Sequence, residues 1–77
     1  MNERFILETT KTIRLVAALY KANFDNDNDE YFKLYDELQE VRESTSLDAI
    51  QFDNAYEVGK ALACLENEEL PPERRIE

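Results

Sequence analysis

Carboxylates are the side chains of this chain whose type and spacing could bind a metal ion, and they are densest between Asp25 and Glu30. Asp25, Asp27 and Asp29 have the alternating spacing of the first three ligands of an EF-hand calcium loop, and helical patterns precede and follow them. The position where that loop needs glycine is Glu30, and its last ligand position is Asp36 instead of glutamate. The sequence therefore predicts weak calcium binding or none, and the segment fits the acid-rich start of a helix better.

Groups that could serve catalysis or hold a cofactor are scarce. The chain has no histidine, which removes the commonest general base and the commonest metal ligand. Its one cysteine, Cys64, follows Lys60 by one helical turn, but no base accompanies it, and a partly buried, inert thiol is the simpler interpretation. The chain also lacks a glycine-rich phosphate loop and zinc-ligand spacing. We expect a non-enzyme with no metal and no cofactor.

An acidic helix face is the strongest candidate for a binding surface. The second predicted helix has a clean apolar stripe on one side, and acids on the other that only Lys33 offsets. Phe32 borders these acids and could supply the apolar anchor that an interface needs. A solvated helix face without function is the alternative. The predicted partner-binding residues are Asp29, Phe32, Asp36, Glu37, Glu40 and Glu43.

A basic flank of the first predicted helix is the second candidate. Lys11, Arg14 and Lys21 could bind an anion such as a nucleotide phosphate. Because carboxylates are in surplus, pairing with acids of the second helix or of another subunit is the favoured interpretation.

The first helix is expected from about residue 3 to 22, with Asn2 as its N-cap. It has two apolar faces at helical spacing, whereas a surface helix has one. Such a helix is either sandwiched inside a bundle or shared with a partner. The larger face should pack in the core, and it comprises Ile6, Thr9, Ile13, Val16, Ala17, Tyr20 and Phe24. The smaller face predicts self-association through Leu15, Leu19 and Ala22.

Two more helices complete the predicted fold. The second should begin near Asn28 and end near Ser44, and Thr45 with Asp48, or Ser46 alone, should cap the next helical segment. The third is either one helix over residues 47–66 or is broken near Asp53. Its interior Gly59 implies that another helix crosses closely there. Residues 1–67 should form one helical domain, with residues 68–77 as a flexible acidic tail containing two prolines.

Charge is unevenly distributed along the 77 residues, whose net charge is −9. Residues 1–24 carry four basic and two acidic residues, whereas residues 25–77 carry five basic and sixteen acidic ones. Direct binding to nucleic acid is disfavoured, because phosphates need a basic surface. A basic protein partner is favoured. The single cysteine and the lack of an 18-residue apolar run lead us to expect a cytoplasmic protein that does not enter membranes.

These patterns predict an all-α fold, a small antiparallel three-helix bundle that self-associates. The leading functional hypothesis is an acidic binding protein that occupies a basic, often nucleic-acid-binding, surface of another protein. The alternatives are a structural or regulatory helical homo-oligomer, and an oligomer that sequesters a nucleotide through the basic flank. In size, acidity and lack of catalytic residues the chain resembles small inhibitor proteins encoded by phages, including anti-CRISPR and DNA-mimic proteins. This resemblance is compositional and assigns no residue roles.

Overall fold

The computed structural model describes residues 3–69, which form three helices: α1 (Glu3–Phe24), α2 (Asn28–Ser44) and α3 (Ala49–Glu69). No strand occurs among these residues, so the predicted all-α three-helix bundle is confirmed. The first helix is two residues longer than expected, and the second has the expected bounds. The third is continuous through Asp53, which decides between the two predicted versions.

The turn between α1 and α2 explains why the acidic segment forms no extended loop. Asn26 takes a left-handed conformation with φ of 60°, which asparagine tolerates better than most residues. The amide of Asp27 donates to the carbonyl of Ala22 at 2.9 Å, and its side chain accepts from the amide of Glu30 at 3.3 Å. Asp27 is therefore the N-cap of α2, and Asp29 and Glu30 lie in the first turn, where the helix dipole favours acids.

Asp48, and not Thr45 or Ser46, caps α3, which corrects the predicted N-cap. Its carboxylate accepts from the amide of Gln51 at 2.8 Å, and the Gln51 side-chain oxygen accepts from the amide of Asp48 at 3.1 Å. This reciprocal pair is a capping box, with glutamine at its third helical position. Thr45 instead accepts from the amide of Leu47 at 3.1 Å, and it donates its hydroxyl to Glu8.

The core is built around α1, which packs against both α2 and α3, while α2 and α3 contact each other little. Its buried side chains come from all three helices and the connection before α3: Val16, Leu19, Ala22, Leu34, Leu38, Leu47 and Phe52. Leu19 is 3% exposed, Ala22 is buried, and Leu15 packs half-buried against this cluster. The prediction that Leu15, Leu19 and Ala22 form a self-association surface is therefore wrong, because this chain's own helices cover Leu19 and Ala22 and leave only Leu15 partly exposed.

The larger apolar face of α1 is less buried than predicted. Val16 is fully buried, but Ile6 and Phe24, at the two ends of that face, are exposed. The buried line of α1 runs through Thr12, which lies between the two predicted faces and donates its hydroxyl to the carbonyl of Glu8 at 2.8 Å. With α2 and α3 on either side of that line, each helix covers one flank of α1 and leaves the opposite side to solvent.

Gly59 lies where α1 and α3 approach each other closely, as the sequence predicted. A Cβ atom there would lie 2.6 Å from the carbonyl oxygen of Ile13 and 2.8 Å from the Cβ of Val16. Since real side chains do not approach so closely, only glycine fits this position without moving the helices.

Glu8 joins α1 to the α2–α3 connection. Its carboxylate accepts from the hydroxyl of Thr45, from the amide of Ser46 at 2.7 Å and from Arg4 at 3.0 Å. These hydrogen bonds, the one from Thr45 foremost, lower the pKa of Glu8 from 4.5 to about 2.

This pKa predicts an acid-sensitive contribution to stability. Because the folded-state pKa lies below the ordinary value, Glu8 stabilises the fold above about pH 4.5, and this contribution disappears as the pH falls through about 2. We expect Glu8→Gln to unfold at a lower temperature than the native chain at neutral pH, with the difference closing towards pH 2. Thermal unfolding followed by circular dichroism across this range measures it. Glu66→Gln, at an exposed site on α3, controls for the loss of one charge, and an equal effect of both variants would contradict the prediction.

Two predictions fall on other parts of the chain. The proposed cap at Asn2 and the tail after Glu69 lie outside the described residues. α3 itself extends through Glu69, two residues beyond the predicted end of the helical domain.

Candidate functional site

The predicted acidic face of α2 is exposed along its length. The 3.6-residue period places Asp29, Asp36, Glu40 and Glu43 on the side directly opposite the buried Leu34 and Leu38. We call these four acids the acidic edge. Lys33 is the basic residue of α2 that lies beside them, so the edge keeps a strong negative potential.

Glu37 is exposed but does not belong to the acidic edge. It lies on the flank of α2 next to α1, where it lines a shallow depression of about 530 Å³ together with Lys11 and Arg14. Leu7, Leu15 and Ala18 supply its apolar lining, and Thr10 completes it. The sequence placed Glu37 among the partner-binding residues, and the structure places it with the basic flank instead.

The three residues of the basic flank do not share one environment: Lys21 lies apart from Lys11 and Arg14. Lys21 forms an exposed ion pair with Asp25, 3.6 Å from its carboxylate. Lys11 and Arg14 share their depression with the carboxylate of Glu37, which repels an incoming phosphate. Lys21 therefore pairs with the turn residue Asp25 and not with an acid of α2. Among the described residues no ion pair joins Lys11 or Arg14 to Glu37, so the predicted pairing with α2 stays a prediction.

Phe32 belongs to an aromatic cluster beside the acidic edge. Its ring meets that of Tyr31 edge-on, with centroids 5.4 Å apart, and Tyr31 stacks on Tyr35 at 6.3 Å. Phe32 is 61% exposed and Tyr35 is 43% exposed. We call these three residues the aromatic ridge. Neighbouring aromatic side chains left in water are typical of binding surfaces, where they supply large apolar area at low entropic cost.

Two residues of the aromatic ridge, Tyr31 and Tyr35, contribute to one wall of a groove between α2 and α3. The groove has a volume of about 520 Å³, and Leu19 of α1 contributes to its lining. Tyr31, Tyr35, Leu38, Gln39 and Arg42 line it from α2, and Phe52, Asp53, Tyr56 and Glu57 line it from α3. It exists because α2 and α3 both pack on α1 and stay apart from each other.

Tyr56 and Arg42 are held in place in this groove. The hydroxyl of Tyr56 hydrogen-bonds that of Tyr20 at 3.0 Å, and this bond, with burial, raises the pKa of Tyr56 to about 12. The guanidinium of Arg42 lies 5.9 Å from the ring centroid of Phe52, within the range of a cation–π contact. Asp53 and Glu57 add two carboxylates to the lining, so the groove is aromatic and carries net negative charge.

The structure also describes the candidate calcium segment and the single cysteine. Asp25, Asp27 and Asp29 form a tight turn and the start of α2, and no cluster of three or more histidine, cysteine, aspartate or glutamate side chains within residues 3–69 could hold a metal. Cys64 is exposed on α3, not partly buried as predicted.

The contribution of α3 to this site was not predicted from the sequence. Tyr31 and Tyr35, like Phe52 and Tyr56, are four residues apart, so each pair shares a helix face. These two aromatic pairs on separate helices were the sequence feature that could have indicated a shared aromatic site. Only the packing of both helices on α1 brings the pairs together across one groove.

Comparisons of the chain with protein-family models, with curated proteins and with solved structures find no match. No helix within residues 3–69 combines the length and the apolar character needed to cross a membrane.

Proposed function

We propose that this chain is a small non-enzymatic binding protein that holds a basic, amphipathic segment of another protein. The observation that supports this most is the position of the exposed aromatic ridge, which lies between the acidic edge of α2 and the groove. A basic side chain could reach the acidic edge while an apolar neighbour packs against the ridge. Blocking a basic surface in this way would make the chain an inhibitor of its partner.

The two parts of this surface would contribute differently to binding. The acidic edge raises the association rate through electrostatic attraction. Salt screens this attraction beyond about 8 Å at physiological ionic strength. The aromatic ridge supplies affinity that salt does not remove. Truncating a hot-spot aromatic costs about 2 kcal/mol, which corresponds to roughly 30-fold in the dissociation constant.

Charge reversal on the acidic edge tests the proposal. We expect Asp36→Lys with Glu40→Lys to slow association of a helical leucine–lysine peptide by at least ~10-fold at low salt and to flatten its salt dependence. Phe32→Ala should mainly speed dissociation. Stopped-flow or surface-plasmon measurements separate the two rates, and far-UV circular dichroism monitors the fold.

The control for net charge is Glu37→Lys with Glu66→Lys, which makes the same charge change away from the acidic edge. It should slow association much less. Equal effects of both double variants would mean that the peptide senses only the overall charge, and unchanged association of the first variant would refute the acidic edge as the binding surface.

A further inference from the structure

One flank of α3 carries no charged residue between Ile50 and Leu65, although 35% of the chain is charged. The helical period places six exposed residues of this stretch within an arc of about 120°. We call them the neutral stripe: Ile50, Asn54, Val58, Ala61, Leu62 and Leu65. Ile50 is 72% exposed and Leu62 is 43% exposed. A run of exposed apolar side chains without charge is typical of the centre of a protein interface.

The neutral stripe is separate from the proposed partner site. Gly59 faces α1, and Asp53 and Glu57 line the groove on one side of that contact. The helical period puts Val58 and Leu62 on the other side of it. Glu57 borders both the groove and the neutral stripe, whereas the aromatic ridge and the acidic edge lie on α2, so a molecule bound to the neutral stripe leaves those two surfaces free.

We propose that the neutral stripe is an interface between two copies of this chain, with the two α3 helices packed antiparallel. The stripe suits pairing with itself, because Ile50 lies eight residues before Val58 and Leu65 lies seven residues after it. Antiparallel packing centred on Val58 sets Ile50 of each copy near Leu65 of the other and places the two Val58 side chains at the two-fold axis.

The lack of charge favours a second copy over a charged partner segment or a lipid surface. A basic segment would find no carboxylate within the neutral stripe, and an anionic lipid surface would find no cation there. A second copy brings the same uncharged apolar surface, and most of the acids that give the net charge of −9 lie elsewhere. Pairing through α3 also leaves the acidic edges, which lie on α2, outside the contact.

The small size of the neutral stripe implies a weak dimer. Fifteen residues of helix span roughly 23 Å, so one helix face buries well under the ~1,000 Å² expected of a stable interface unless α1 adds to it. We expect a dissociation constant in the micromolar range. Because two chains of the same net charge repel each other, salt should strengthen the dimer, whereas it should weaken binding at the acidic edge.

Analytical ultracentrifugation of the purified chain from ~1 µM to ~1 mM tests this proposal. We expect the mass to rise from 9.1 kDa to about twice that value, and to do so at lower concentration when salt is raised. Leu62→Glu should weaken association by at least ~30-fold without loss of helicity. The matched control is Leu7→Glu, at a more exposed leucine on α1, and it should change association by less than ~3-fold.

A cross-linking variant tests the geometry even if Leu62→Glu fails to fold. In a Cys64→Ser background, Val58→Cys should form a disulfide-linked dimer under mild oxidation, because the two-fold axis brings the two thiols together, and Leu7→Cys should not. A chain that stays at 9.1 kDa over the whole range, or equal cross-linking of both cysteine variants, would overturn the proposal. Either result would leave the proposed partner site on α2 unaffected.

Discussion

Replacing Leu19 with aspartate is expected to unfold the chain. Leu19 is 3% exposed and belongs to the core cluster with Val16 and Leu38. Removing a buried leucine side chain costs about 2–5 kcal/mol, and an uncompensated carboxylate at that depth costs several more. A domain of this size has a total stability of about 4–12 kcal/mol, so the variant should have little or no folded population. Loss of the far-UV circular dichroism signal at room temperature measures this.

A control variant, Leu7→Asp, distinguishes unfolding of the chain from loss of an interface between two copies. Leu7→Asp introduces the same carboxylate on α1 at an exposed site, and it should retain full helicity and a cooperative thermal transition. If Leu19→Asp were instead fully helical and merely smaller in mass than the native chain, Leu19 would lie at an interface between copies. That result would contradict its burial by this chain's own helices.

Much of the fold could be predicted from local sequence, because helix spacing, caps and breaks are properties of neighbouring residues. The bounds of α2 follow from Asp27 and from the break after Ser44, and the close helix crossing at Gly59 was predicted from its place inside a helical pattern. Local sequence cannot tell which neighbour covers an apolar face. Leu19 and Ala22 therefore suggested a partner, although α2 and α3 were available to cover α1 within the same chain.

The candidate site was predictable to the extent that it lies on one helix. Asp36 and Glu40 share a face by periodicity alone, and both are exposed. Glu37 was misplaced because its angular position beside α1 matters only once α1 is present. The groove could not be derived, because Tyr35 and Tyr56 lie 21 positions apart and meet across it through the packing of two helices on a third.

Gly59→Ala is expected to lower the thermal midpoint by on the order of 10 °C. Alanine is a better helix former than glycine by about 1 kcal/mol, so propensity alone predicts the opposite sign. The added Cβ, however, would lie 2.6 Å from the carbonyl oxygen of Ile13, a backbone atom that cannot rotate away. α1 and α3 would have to separate along their shared contact, and overpacking of this kind typically costs about 1–3 kcal/mol or more. Because the close atom belongs to the backbone, we place the overpacking cost at about 3 kcal/mol. Subtracting the gain of about 1 kcal/mol in helix propensity leaves a net loss of about 2 kcal/mol, measured by thermal and urea unfolding.

Asn54→Ala supplies the matched control for this last variant, because it also gains helix propensity on α3 but lies at an exposed position. It should leave the midpoint unchanged or raise it by a few degrees at concentrations where the chain is monomeric. The contrast between the two alanine variants isolates the effect of the close contact from that of helix propensity. A Gly59→Ala variant that unfolds at the same temperature as Asn54→Ala, or above it, would show that α1 and α3 do not approach closely enough in solution to require glycine.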